Sequence, residues 1–244
     1  MRALTDLLDK LEAHYGPQKP VWPTDPYQFL VWNYSAYPAS DAKCAKGWES
    51  LKKNVGIEPG RILAATPAAL AQALKPGGMM PDERAMRLKE AADRTLGEFG
   101  GDMRTALLRM PLSKARAALK TFRGIANPGA DRILLFAGIS PIAAVPSNCT
   151  HVPARIFQGG EGKNYNREYA DGQQKIETEI PPLFDARQRA YLLLRHHGQE
   201  ICKRSAPMCS TCPVARLCAF AKSRNARQAA EPPGPPLATR KPRR

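Results

Sequence analysis

No apolar run in this sequence approaches the ~20 residues that a membrane span needs, and its start carries no signal-peptide pattern. Neither a membrane protein nor an exported one is expected, which leaves a reducing, cytoplasmic setting. β-strand signals are nearly absent as well, so an all-α chain is the expectation. Acid is also scarce: 22 Asp and Glu stand against 37 Lys and Arg, a formal charge of +15 over 244 residues. That excess points to a polyanionic partner, with nucleic acid as the leading class. Basic ribosome-associated proteins share the balance, and an acidic membrane surface would call for a basic amphipathic helix with an aromatic face, which is not evident.

The chain is long enough for one good core or two small lobes. Met1 to Tyr15 reads as an amphipathic helix through Leu4, Leu7, Leu8 and Leu11, and Pro17, Pro20 and Pro23 then mark a connector. Residues 1–25 are thus expected to stand apart from a body over 26–220. Helices are expected from Pro26, from Ser40 through Leu51, from Thr66-Pro67 and from Pro81, the last with Met86, Ala92 and Leu96 inward. Others start at Met103 and Leu112. Residues 157–169 read as a polar loop, 171–180 as part of a helix, and 185–197 as the helix that leads into the cysteines. Residues 221–244, rich in proline and ending Arg-Lys-Pro-Arg-Arg, read as a disordered basic tail.

Four of the six cysteines fall in one short run, Cys202, Cys209, Cys212 and Cys218, spaced C-x6-C-x2-C-x5-C. Four thiolates this close suit a tetrahedral zinc or an iron–sulfur cluster. Structural zinc sites usually pair two short knuckles, and this run has only one short spacing, so the longer arcs favour the bulkier cluster. Zinc and a disulfide pairing remain as alternatives. Cys44 reads as a small apolar core residue.

A second motif lies upstream. Leu119 to Gly138 reads as helix, tight turn, helix, with Gly124 and Gly129 easing the turn. The amides that open the second helix would form an anion site for a backbone phosphate.

With His197-Gly-Gln-Glu-Ile-Cys202 in front of it, the cysteine run resembles the [4Fe-4S] loop of the endonuclease III family of helix-hairpin-helix DNA glycosylases. The resemblance covers about Pro26 to Phe220. It implies a two-lobed all-α fold, a cluster on Cys202, Cys209, Cys212 and Cys218, and a monomer that binds double-stranded DNA. Arg123-Gly124-Ile125-Ala126 resembles the family's Pro-Gly-Val-Gly turn. The DNA-contacting set expected is Gly124, Ile125, Ala126, Asn127, Gly129, Arg132, Arg155, Lys203 and Arg204.

The departures concern chemistry. Pro128 stands where bifunctional members of the family carry a Schiff-base lysine. Val145-Pro146-Ser-Asn-Cys-Thr-His151-Val resembles the segment that bears the family's aspartate, and Pro146 takes that place. No Asp or Glu occurs between Asp131 and Glu161. Pro38 stands where the family's gap-filling Gln is expected. The expectation is a DNA-binding, catalytically degenerate relative. One alternative is an active glycosylase that uses Asp41, Asp131 or Cys149, the last with His151 as its base. Another is a redox-sensing DNA-associated module.

Overall fold

The structure is a computed structural model that describes residues 3–230; the basic tip of the tail lies outside the described residues. Thirteen α-helices and no sheet make up those residues. The first ones are α1 (Ala3–Tyr15), α2 (Pro26–Tyr34), α3 (Asp41–Asn54), α4 (Pro59–Ala64) and α5 (Pro67–Leu74). They are followed by α6 (Pro81–Gly97), α7 (Met103–Leu108), α8 (Leu112–Lys120) and α9 (Asn127–Phe136). A short α10 (His151–Pro153) runs into a π turn over Ala154–Gln158, and α11 (Tyr165–Glu179), α12 (Phe184–Glu200) and α13 (Ala219–Ala230) complete the chain.

Two apolar cores define two lobes. One gathers the buried side chains of α2 to α9, centred on Leu30, Leu51, Leu88, Phe122 and Leu134. The other joins α1 to α10, α11, α12 and the cysteine segment. Helix α1 is integral to that second core: Leu4, Leu7, Leu8 and Leu11 are essentially inaccessible, a burial of about 2 kcal/mol for each. The connector joins the first core through Trp22, whose ring meets Phe136 and Tyr191 edge-on at 5.4 and 6.2 Å.

Turn chemistry sets most helix starts. Asp25 accepts from the Gln28 amide at 2.9 Å, and Thr66 accepts from Ala69 at 3.2 Å. Ser40 precedes α3, but its hydroxyl makes no capping bond. Helix α3 and the turn between α5 and α6 both approach the end of α2 very closely. A Cβ on Gly47 or Gly77 would lie 1.9 or 1.8 Å from the Ser35 carbonyl oxygen. The buried Arg84 guanidinium fills that junction and donates to the carbonyls of Ser35, Leu74, Gly78 and Met79 at 2.7 to 2.9 Å.

Several boundaries differ from expectation. Met86 and Leu96 point outward, 60% and 45% exposed, because the inward stripe of α6 runs through Ala85, Leu88, Ala92 and Thr95. Helix α4 was hidden behind its Pro-Gly start, where proline fits the first turn. Helix α11 begins six residues before Asp171, capped by Asn164, which accepts from the Arg167 amide at 3.1 Å. The expected tail is helical as far as Ala230, since Ala221 seats in the second core and anchors α13.

Candidate nucleic-acid interface and interlobe pocket

The helix–turn–helix of α8 and α9 turns at Gly124, where φ is +78°, a conformation glycine adopts without a Cβ penalty. Ala126 is extended and hands over to Asn127, the first residue of α9; both are exposed. Ala126 makes no side-chain cap, so the first amides of α9 stay available to an anion. Ile125 is buried and packs against Gly129, where an added Cβ would meet it at 3.3 Å. Gly129 therefore serves helix–turn packing rather than outward contact. Pro128 is buried in the first turn of α9, where the lack of an N–H costs nothing.

Beside the hairpin, between the lobes, lies a pocket of ≈ 770 Å³. Phe29, Trp32, Asn33, Asp41, Cys44 and Arg132 come from the first lobe; Pro146 to Cys149, Tyr191, Arg195 and Gln199 come from the other side. An adjoining concavity of ≈ 680 Å³ shares Asn33 and Ala39 with it and reaches Gly124. Met80, which is non-glycine yet has φ +56°, is on that wall, about half exposed. Pro38 is exposed between Tyr37 and Ala39, which line this groove.

The charges of the pocket are mostly spent. Arg195 donates to both oxygens of Asp41 at 2.7 and 2.6 Å. Arg132 is not on the phosphate-facing surface as expected. Its guanidinium stacks at 3.6 Å on the Trp22 ring and 4.6 Å from Phe29, and burial lowers it from the ordinary arginine value. Asp131 does not reach the pocket either. It is fully inaccessible, paired with Arg116 at 2.7 Å, and accepts from Tyr169 at 2.6 Å and Gln173 at 2.9 Å. Burial raises its carboxyl above the ordinary value, against the pull of those three donors.

Cys149 lines the pocket but does not pair with His151. Its thiol points to the Arg195 carbonyl at 3.7 Å, while His151 Nε2 lies 2.7 Å from the Cys202 carbonyl. Burial pushes the Cys149 thiol up to about 11, the opposite of an activated nucleophile. Gly198 of α12 makes room for it: a Cβ there would sit 2.6 Å from the sulfur.

The four clustered cysteines are free thiols that line a single cleft of ≈ 310 Å³ with Ile156, Met208, Val214 and Phe220. Among the described residues no three His, Cys, Asp or Glu side chains close on a single-ion site. Burial raises the thiols of Cys202, Cys212 and Cys218 above the ordinary cysteine value. Arg155 is 4% exposed, and it ties this loop down rather than facing phosphates. It donates to the carbonyls of Lys203 at 2.9 Å and Arg204 at 2.6 Å, and one N–H lies 3.7 Å from Cys202 Sγ. His197 Nε2 is 3.7 Å from Cys212 Sγ, and its Nδ1 meets the Tyr15 hydroxyl at 2.9 Å. Lys203 and Arg204 are exposed on the loop, the latter paired with Glu161.

Sequence reasoning missed Trp22, Arg195 and Gln199. Trp22 sat in a proline-rich connector that looked detached. Arg195 follows Tyr191 by one helical turn, a phase that places both on the pocket face. Neither a family model nor a curated protein matches this sequence. Solved structures do. A trapped covalent DNA intermediate of endonuclease III is similar at 17% identity, with a TM-score of 0.72 over 92% of this chain and 99% of that one. A thermostable thymine-DNA glycosylase is similar at 21% identity, TM-score 0.70, over 91% and 97%. The H. pylori 3-methyladenine DNA glycosylase bound to 1,N6-ethenoadenine is similar at 20% identity, TM-score 0.56, over 80% and 94%. The chain has an endonuclease III-like, all-α helix-hairpin-helix glycosylase fold.

Proposed function

We propose that this protein binds duplex DNA through the α8–α9 hairpin, holds an extrahelical nucleotide in the interlobe pocket, and does not cleave it. The observation that carries the second half is the charge state of the pocket. Among its lining residues the sole carboxylate, Asp41, is neutralised by Arg195, and no lysine is present. A glycosylase needs a free carboxylate to stabilise the cationic sugar or activate water, and a lyase needs an amine. Pro128 and Pro146 provide neither.

The open amides of α9 and the turn at Gly124 are suited to one phosphate, with Asn127 beside them. Exposed Lys114, Lys120 and Lys203 add attraction that does not depend on sequence. The comparison structures of endonuclease III hold DNA in a trapped and a non-covalent complex, which supports the same use of this fold.

Cys202, Cys209, Cys212 and Cys218 would hold a [4Fe-4S] cluster. The fit rests on four free thiols around one apolar-walled cleft, with Arg155 and His197 near the sulfurs of Cys202 and Cys212. Such a cluster supplies rigidity to the 202–218 loop and a one-electron couple. Zinc is the weaker reading, because the sulfurs line a cleft instead of converging on one ion.

Anaerobic purification, followed by binding and cleavage of duplexes with an abasic site, thymine glycol or an alkylated purine, tests the proposal. A brown protein that binds them, releases no base and leaves no borohydride-trapped adduct is the expected result. Base release above background would overturn the non-cleaving reading. A colourless protein with one bound zinc would overturn the cluster.

A further inference from the structure

Arg132 carries a guanidinium whose buried Nε has no acceptor among the described residues. It projects from α9, whose neighbouring positions Ile133, Leu134 and Leu135 are buried and apolar. Trp22 and Phe29 fix its plane by stacking. The one carboxylate that influences it, Asp41, is already held by Arg195. Arg132 lines the interlobe pocket, and its stacked, planar guanidinium offers a preorganised set of donors there.

The chemistry of that fork restricts the occupant. The guanidinium N–H groups donate to carbonyl oxygens and unprotonated ring nitrogens, which accept, and they find no acceptor in exocyclic amino groups. A fixed positive charge also disfavours a cationic, ring-alkylated base. Asn33 and Gln199 on the same walls can satisfy a remaining edge. We infer that Arg132 makes the pocket selective for an extrahelical base that presents two adjacent acceptors, the O6/N7 edge of a 6-keto purine, over bases that lack that edge or carry a positive charge. This inference rests on the DNA-binding reading above.

The test uses the full-length protein and duplexes that are identical except for one base placed opposite an abasic analogue, so that neither member of a pair is base-paired. Hypoxanthine is compared with adenine, guanine with 2-aminopurine, and cytosine with the cationic 3-methylcytosine. One bidentate contact predicts that hypoxanthine and guanine bind about tenfold tighter than their counterparts without O6. Arg132→Leu, which suits the apolar wall, should bring both ratios to near one, and Arg132→Lys, with charge but no fork, should fall between. If the leucine variant fails to fold by circular dichroism, the lysine variant decides. Lys114→Ala is the control: it should weaken all duplexes together and keep the ratios. Ratios near one in the unmodified protein, or ratios that survive in the folded variants, overturn the inference while leaving DNA binding intact. Absence of duplex binding even at low salt overturns the proposed function, and the inference with it.

Discussion

Replacing Asp131 with alanine separates a structural carboxylate from a catalytic one. Asp131 on α9 ties the two helices of the hairpin together through Arg116 of α8 and joins them to α11 through Tyr169 and Gln173, at 2.6 to 2.9 Å. Its side chain is fully inaccessible, whereas that of Arg116 is 32% exposed. Breaking a buried pair by removing one partner costs about 3–5 kcal/mol. Arg116 can turn toward solvent, so the lower end applies, with the stranded Tyr169 hydroxyl as the main residue of the loss. About 3 kcal/mol in a chain of this size corresponds to a melting temperature lowered by roughly 6–12 °C. Differential scanning calorimetry of the holo-protein reads this directly, and Tyr169→Phe should account for about half and be non-additive with it. A variant that melts with the parent yet changes duplex binding or base release would refute the reasoning and return Asp131 to the site.

Three further outcomes follow from the packing. Gly77→Ala places a Cβ 1.8 Å from the Ser35 carbonyl oxygen, so the urea midpoint should fall by the equivalent of about 1–3 kcal/mol or more; an unchanged midpoint would mean that the α5–α6 junction is looser than described. Cys212→Ser should lose visible absorbance and bound iron, measured by colorimetric iron assay, if the four thiols share one cluster. Lys203→Ala should weaken every duplex alike and reduce the slope of log affinity against log salt by about one unit, read by fluorescence anisotropy over a salt series.

Much of the fold was legible because its signals are local. Proline at first turns, Thr66 and the leucine stripe of α1 each act within four residues, and α1, α2, α5 and α6 formed where expected. The failures are of two kinds. Met86 and Leu96 are apolar at exposed positions, and the hydrophobic pattern alone does not say which of two phases packs; small Ala85, Ala91 and Ala92 carry the real interface, because α6 lies close to α4 and α5. Helix α11 looked like loop since its first two turns are polar, and its capping Asn164 is recognisable only once the helix is known. At the site, the four cysteines were legible from spacing, and the structure brings them to one cleft. Arg155 was not, because its partners Lys203 and Arg204 lie far along the chain and offer main-chain carbonyls that a sequence does not display. The same holds for Asp131 and Arg195, whose roles are set by partners distant in sequence: Tyr169 and Gln173 for the first, Asp41 for the second.

The missing lysine and aspartate would each be a weak argument alone, since a register shift or a substitute residue can always be imagined. The pocket itself supplies an independent one. Departure of a base leaves positive charge on the sugar, and an enzyme must stabilise that charge where it develops. Here Arg132 and Arg195 face Asp41, a net positive lining. One uncompensated charge at a nominal distance of about 6 Å, in an effective dielectric of about 20, disfavours a developing cation by roughly 3 kcal/mol. That is about a hundredfold in rate against the reaction before any nucleophile is considered. The same charge favours a neutral base rich in acceptors that remains attached to its sugar. On the proposed function, binding selectivity and lack of cleavage would share one physical cause, the guanidinium placed on α9 against Trp22.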